Sequence, residues 1–277
     1  MTPDPRVTPA NGRVADIALR GVIAADRYVK PSPVRIARPV ADLCDRPGGK
    51  RLRQLLLGQE VRVYEDRDGW SFLMGEDGYV GYVASSALGI RGVPTHRVAS
   101  FATHVYSAAD MKSPVRMALP FGARVTAQAI RGTMIETPDG FVPRGHLRRL
   151  DRPFDDPVGV AEIHLRVPYL WGGNSTRGID CSGLVQAAFT ACGIECPGDS
   201  DMQRNALGAA LDDHARLRRG DLVFWTGHVG LMQDEGFLLH ANAHAMATTT
   251  EPLAVAMRRI EKAGGGRVLV RRRVLTA

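Results

Sequence analysis

One of the four cysteines in this chain sits in a reactive setting. Upstream of Cys181 runs Gly172-Gly173-Asn174-Ser175-Thr176-Arg177-Gly178, too rich in glycine and short polar residues for regular structure. Downstream, Leu184, Val185, Ala188, Phe189 and Cys192 recur at helical spacing, and Gly193 follows at a position suited to a C-terminal cap. The pattern predicts that a loop becomes a helix at Cys181. Free backbone N–H groups and the positive end of the helix dipole would then face its thiol and favour the thiolate. A cysteine nucleophile needs a base, and the base needs an orienting group. His228 opens the apolar run Val229 to Met232, and His240 ends Phe237-Leu238-Leu239. The turn Asp234-Glu235-Gly236 makes these runs a hairpin that brings both imidazoles to one end of a sheet. His228 is then the proton acceptor and His240 the group that fixes its tautomer.

The other cysteines and histidines fit blander roles. Cys192 suits the helix face and Cys196 a loop, and no second pair stands at zinc-finger spacing. His240 and His244 make a His-x3-His pair, but in a strand-to-loop segment without an acidic HExxH centre. No metal or cofactor is expected. His96, His104, His146, His164 and His214 are read as structural.

The elements that must position this site divide the chain into four segments. Residues 1–38 form a proline-rich arm with one helical-looking piece, Val14 to Val22. Residues 39–92 switch to period two, with Gly/Asp turns and short strands, as in a small barrel. Residues 93–150 repeat that plan: Phe141 to Leu147 parallels Tyr82 to Leu88. Residues 151–277 carry a helix at Val158 to Leu165, the Cys181 helix, and a short helix at Met202 to Leu207. Strands follow, with a helix at Leu253 to Lys262 and a last strand at Arg267 to Val274. Helices first and an antiparallel sheet after them make an α+β pattern.

Composition narrows the classes. The chain has 277 residues, 44% hydrophobic and 23% charged, as in ordinary globular protein. Its net charge of +7 is almost all arginine in scattered pairs, without the basic stripe and interleaved aromatics of a nucleic-acid surface. No apolar run approaches the roughly 20 residues of a membrane span. The first thirty residues do not read as a secretory signal, so a cytoplasmic location is expected and disulfides are not.

The motifs together resemble a known family. Pro168-Tyr169-Leu170-Trp171-Gly172-Gly173, Asp180-Cys181-Ser182-Gly183-Leu184-Val185-Gln186, Gly220 to Trp225, His228-Val229-Gly230 and His240-Ala241 are similar, in order and spacing, to the NlpC-type cysteine peptidases of bacterial cell-wall metabolism. That resemblance implies a papain-like α+β fold. The two preceding units resemble small bacterial SH3-like β-barrels, the first closely and the second without its Trp. The whole resembles γ-D-glutamyl-L-diamino-acid endopeptidases of the dipeptidyl-peptidase VI type. These cut murein peptides after γ-D-Glu and require a free N-terminal L-Ala.

The resemblance also implies roles. Cys181, His228 and His240 match the triad, and Tyr169 matches a tyrosine whose hydroxyl helps hold the oxyanion. Asp180 matches the acid that pairs with the substrate amine, with a turn or helix N-cap residue as the rival reading of the sequence. Ser182 and Ser200 match polar residues of the peptide site. Trp171 forms either an apolar wall or plain packing. Tyr79 matches a tyrosine facing the amine from the first barrel, which in the family limits the cleft to dipeptide length. Two positions depart from the pattern. Gln59 stands where relatives have Glu, leaving Glu60 as a substitute only if a bulge turns it. Gly198 stands where Arg is common. The alternatives are an amidase or acyl transferase acting on a different amide, and an inactive wall-fragment binder. The residues do not distinguish diaminopimelate from Lys, nor give an oligomeric state.

Overall fold

A computed structural model describes residues 3–212 and 214–274. Contacts divide the chain into two compact units, Met1–Asp151 and Arg152–Ala277. Among the described residues, no helix is long and apolar enough to cross a membrane.

The first unit is built from strands. A seven-stranded antiparallel sheet runs in the order Arg51–Leu56, Val40–Cys44, Val80–Ala84, Trp70–Gly75, Glu60–Arg67, Ser32–Ile36, Leu88–Gly89. Ile36, Leu43, Leu55, Leu73, Tyr79 and Val83 fill its core. The sheet therefore takes in Ser32–Ile36, which the sequence reading left in the arm. Val34 pairs with Val61 and Ile36 is fully buried, so Pro39 is a bend within the sheet and not its edge. The arm carries a second correction, since Val14 to Val22 is not a helix. Val14–Asp16 is a short parallel strand against Arg27–Val29, and Ile17–Leu19 is a single 3₁₀ turn. Val14 packs beside Tyr64 and Phe72, and burying that β-branched side chain outweighs local helical preference. Glu65 ties the arm down through Arg13 at 2.6 Å. Beyond residue 93 lie a five-stranded sheet and a three-stranded sheet. Their core holds Val98, Val105, Leu119, Val125 and Val142, together with Leu57.

In the second unit, an antiparallel six-stranded sheet runs Ala209–Ala210, Val270–Arg273, Leu222–Trp225, His228–Met232, Phe237–Asn242, Ala247–Pro252. Among the described residues four helices accompany it: α1 Pro157–Glu162, α2 Cys181–Ala191, α3 Ser200–Ala206 and α4 Leu253–Lys262. Helix α1 is shorter than the periodicity predicts. It begins with Asp156 accepting from Val158 N and Pro157 in the first turn, and it stops before the turn that leads to Pro168. Helix α2 lies against α1 and against the two histidine-bearing strands, with Leu184, Val185, Ala188 and Phe189 buried. Phe189 is fully buried, which alone contributes about 1.5–3 kcal/mol. Because α2 is pinned by this face, its first residue is fixed relative to the sheet.

Candidate active site

The start of α2 is a clamp built on Asp180. Its Oδ1 accepts from Gly183 N at 2.6 Å and Ser182 Oγ at 3.0 Å, and its Oδ2 accepts from Gly172 N at 2.9 Å. One carboxylate thus caps the helix and holds the preceding loop to it. Glycines allow the close approach. A Cβ on Gly183 would come within 2.3 Å of the Gly173 carbonyl oxygen, and one on Gly173 within 2.5 Å of the Gly178 oxygen. These are backbone atoms that cannot swing away. Gly183→Ala is expected to cost on the order of 3 kcal/mol through this clash, more than the ~1 kcal/mol of helix propensity that alanine supplies. A lowered thermal midpoint with slowed alkylation of Cys181 would show it; a midpoint equal to or above the parent's would contradict it.

Cys181 is thus the first residue of α2, as the loop-to-helix pattern predicts. Its thiol is buried, and the backbone N–H groups of Val229, Ser182 and Cys181 favour its charged form. The expectation of a ready thiolate nevertheless fails on magnitude. Burial, with the Asp180 charge adding to it, pushes the thiol up to about 12, and the N–H groups offset only part of this. At neutral pH the sulfur rests as a thiol and needs its proton taken at the moment of attack.

The sheet register assembles the histidines. Trp225 pairs with His228 across the Thr226-Gly227 turn, and Leu231 pairs with Leu239. Extending that register sets His228 and His240 diagonally on one face. His228 Nε2 and His240 Nδ1 are 2.8 Å apart, with ring centroids at 5.1 Å. The Trp225 and His228 ring centroids are 5.7 Å apart. Burial pushes His228 down to about 3, reinforced by His240 and Arg259, so the imidazole is neutral. Val229 N reaches the thiol from the residue next to His228, which brings base and nucleophile to the same strand end.

Sequence reasoning missed two residues here, Glu251 on the next strand and Arg259 on α4. His240 pairs with Thr249, so Glu251 is its diagonal neighbour on the same face. His240 Nε2 stands 2.9 Å from Glu251 Oε1, and Arg259 of α4 grips the same carboxylate oxygen. The alternation of Ala247–Pro252 puts Thr249 and Glu251 on one side, which gives a shared face but no role.

Tyr169 is held by a bridge to Ile179 and by its N–H on the Met246 carbonyl. Its hydroxyl is pushed up first by burial and then by the nearby Cys181 and Asp180 charges. Ser182 is buried and serves the Asp180 clamp. Ser200 is the first residue of α3, one turn before Gln203, whose amide donates to the Ser182 carbonyl at 2.9 Å. Trp171 is 72% exposed, so it is not packing in a core. The barrel residues have partners inside their own unit. Gln59 Oε1 accepts from Leu56 N at 2.8 Å, Glu60 pairs with Arg35 at 2.7 Å, and Tyr79 belongs to the first core with Arg53 over its ring.

Two parts of the chain match known families. Residues 166–258 match the NlpC/P60 family, and residues 43–88 match the bacterial dipeptidyl-peptidase SH3 domain. A gamma-D-glutamyl-L-lysine dipeptidyl-peptidase of Bacillus subtilis (strain 168) is 36% identical over 96 residues, 31% of this chain and 31% of the relative. The peptidoglycan endopeptidase RipB of Mycobacterium tuberculosis (strain CDC 1551 / Oshkosh) is 37% identical over 132 residues, 42% of this chain and 53% of that protein. The chain thus spans about a third of the length of the first of these relatives and about half of the second. A crystal structure of an NlpC/P60 family protein from Bacillus cereus ATCC 10987 shares the fold, with a TM-score of 0.72 and 20% identity over 88% of this chain and 100% of that one. A thiol at a helix start, a paired-histidine sheet and these matches lead to one assignment: residues 166–258 are a cysteine-peptidase domain of the NlpC/P60 family, preceded in the chain by a bacterial dipeptidyl-peptidase SH3 domain over residues 43–88.

Proposed function

We propose that this chain hydrolyses the γ-D-Glu–L-diamino acid bond of murein peptides that carry a free N-terminal L-Ala, releasing L-Ala-D-Glu. The observation that carries the reading is the Cys181, His228 and His240 arrangement in a chain with a dipeptidyl-peptidase SH3 domain. It is supported by relatives whose names specify γ-D-glutamyl-L-lysine and peptidoglycan substrates. The reading treats residues 93–150 as a second SH3-like barrel.

The steps follow from the neutral resting pair. As Cys181 Sγ attacks the γ-carbonyl carbon, His228 takes the thiol proton. The oxyanion is met by the Cys181 backbone N–H and the Tyr169 hydroxyl, a phenol that stays protonated. Collapse breaks the C–N bond, His228 returns the proton to the leaving amine, and a thioester of L-Ala-γ-D-Glu remains. Water, deprotonated by His228, cleaves the thioester and restores the thiol. The substrate ammonium is anchored by Asp180, a carboxylate fixed in place by the helix it caps. Trp171, Ser182 and Ser200 line the peptide path in this reading.

One observation favours a second reading, an amidase or acyl transferase for another amide. Gln59 is neutral and used in its own turn, and Glu60 is neutralised by Arg35, so neither offers an uncompensated charge to an ammonium. The experiment compares L-Ala-γ-D-Glu-diaminopimelate with its N-acetylated form, using the parent chain and Cys181→Ala. Release of L-Ala-D-Glu from the free-amine peptide alone, lost in the variant, is expected. Equal cleavage of both peptides removes the amine anchor, and cleavage of neither favours the second reading.

A further inference from the structure

We propose that Glu251, gripped by Arg259, is a positioning residue that fixes the tautomers of His240 and His228 in series and leaves the His228 nitrogen used for catalysis bare. Arg259 holds the Glu251 carboxyl below its ordinary range, so the carboxylate is ionised and can only accept. His240 Nε2, 2.9 Å away, must therefore carry the proton. His240 is fully enclosed, and burial keeps it neutral against the pull of Glu251. A neutral ring protonated at Nε2 is bare at Nδ1, which then accepts. The group 2.8 Å from that Nδ1 is His228 Nε2, so His228 donates there. Neutral His228 is in turn bare at its own Nδ1. One carboxylate, two rings away, thus decides which nitrogen can take the Cys181 proton.

Arg259 has a second part in this. An unpaired glutamate beside His240 would favour the imidazolium, which donates from both nitrogens and would reverse the His228 tautomer. The guanidinium lowers the proton affinity of Glu251, His240 and His228 alike. The charged groups that act on the pair are Glu251 from the neighbouring strand and Arg259 from α4, and Asp180 and Tyr169 are the ionisable groups beside Cys181. A structural salt bridge would need none of this ordering across three strands.

The inference rests on the peptidase reading only for its kinetic arm. In ¹⁵N-histidine spectra of the full chain at neutral pH, both His228 and His240 are expected as neutral rings protonated at Nε2. An Nδ1-protonated or doubly protonated His240 in the parent chain would overturn the proposal without any variant. In Glu251→Leu, the two rings are expected to lose their tautomer bias, and iodoacetamide labelling of Cys181 is expected to slow by about tenfold to a hundredfold. Glu251→Gln keeps an acceptor and is expected to recover part of the rate. With peptide substrate, kcat falls and KM changes little. Unaltered ring spectra and labelling in folded Glu251→Leu would refute the role. If spectra and labelling behave as expected while no murein peptide is cleaved, the substrate reading fails and the positioning role stands.

Discussion

Cys181→Ala is expected to leave the fold intact and to lower turnover of L-Ala-γ-D-Glu-diaminopimelate by about 10⁴-fold or more. The sulfur forms the covalent bond, and no other cysteine can replace it. Cys44 belongs to the other unit's sheet, and Cys192 and Cys196 stand at and beyond the far end of α2. The loss should not come from unfolding. Alanine suits the first turn of a helix, the Asp180 clamp acts on Gly183, Ser182 and Gly172, and the large apolar side chains of α2 are Leu184, Val185 and Phe189. Product formation followed by chromatography, beside thermal melts of both chains, separates the two effects. Cys181→Ser tests the acid–base side. Its hydroxyl has the same surroundings but a proton harder to remove, so it should also lose most activity. Retained turnover in Cys181→Ala would move the nucleophile elsewhere.

What was legible in the sequence follows from how local each signal is. The loop-to-helix junction at Cys181 could be read because glycine-rich punctuation and 3.6-residue periodicity are local properties, and α2 starts at the expected residue. The 228–240 hairpin could be read for the same reason, through its turn residues. Val14 to Val22 misled because its neighbours are distant in sequence: Val14 is a strand residue through Tyr64, Phe72 and Arg27. Glu251 escaped because nothing in Thr248-Thr249-Thr250-Glu251 announces a role. It acquires one only when the register of a third strand and a helix-borne arginine meet on His240. The resting state of the thiol was also beyond the sequence. Helix dipole and burial act on it with opposite sign, and only the packed structure shows that burial is the larger.

His228→Gln is expected to reduce turnover by about 10³-fold and at the same time to make the protein more tolerant of acid. The first effect follows from loss of the base. Glutamine retains a hydrogen-bonding group toward His240 but cannot accept and return a proton. The second follows from linkage. His228 is pushed down to about 3 and His164, buried with Nδ1 by the Val160 carbonyl, to about 4. Both titrate near 6.5 in an unfolded chain. Between about pH 6.5 and those lower values the unfolded state binds more protons, so stability falls as the pH falls. Each such histidine adds a slope of at most about 1.4 kcal/mol per pH unit across that window. Removing one should flatten the curve by up to that amount, measured by urea unfolding at pH 7, 6, 5 and 4. The parent's activity should show the same displacement. Its active form is the neutral thiol–imidazole pair or the ion pair made by moving one proton within it, which titrate as a unit. Labelling of Cys181 by iodoacetamide should therefore hold level as the pH passes below the ordinary histidine range, and decline only at more acid values. A decline centred near 6.5 would mean that the His228 ring is solvated, and that the enclosure by Trp225, His240 and the start of α2 does not tune the base.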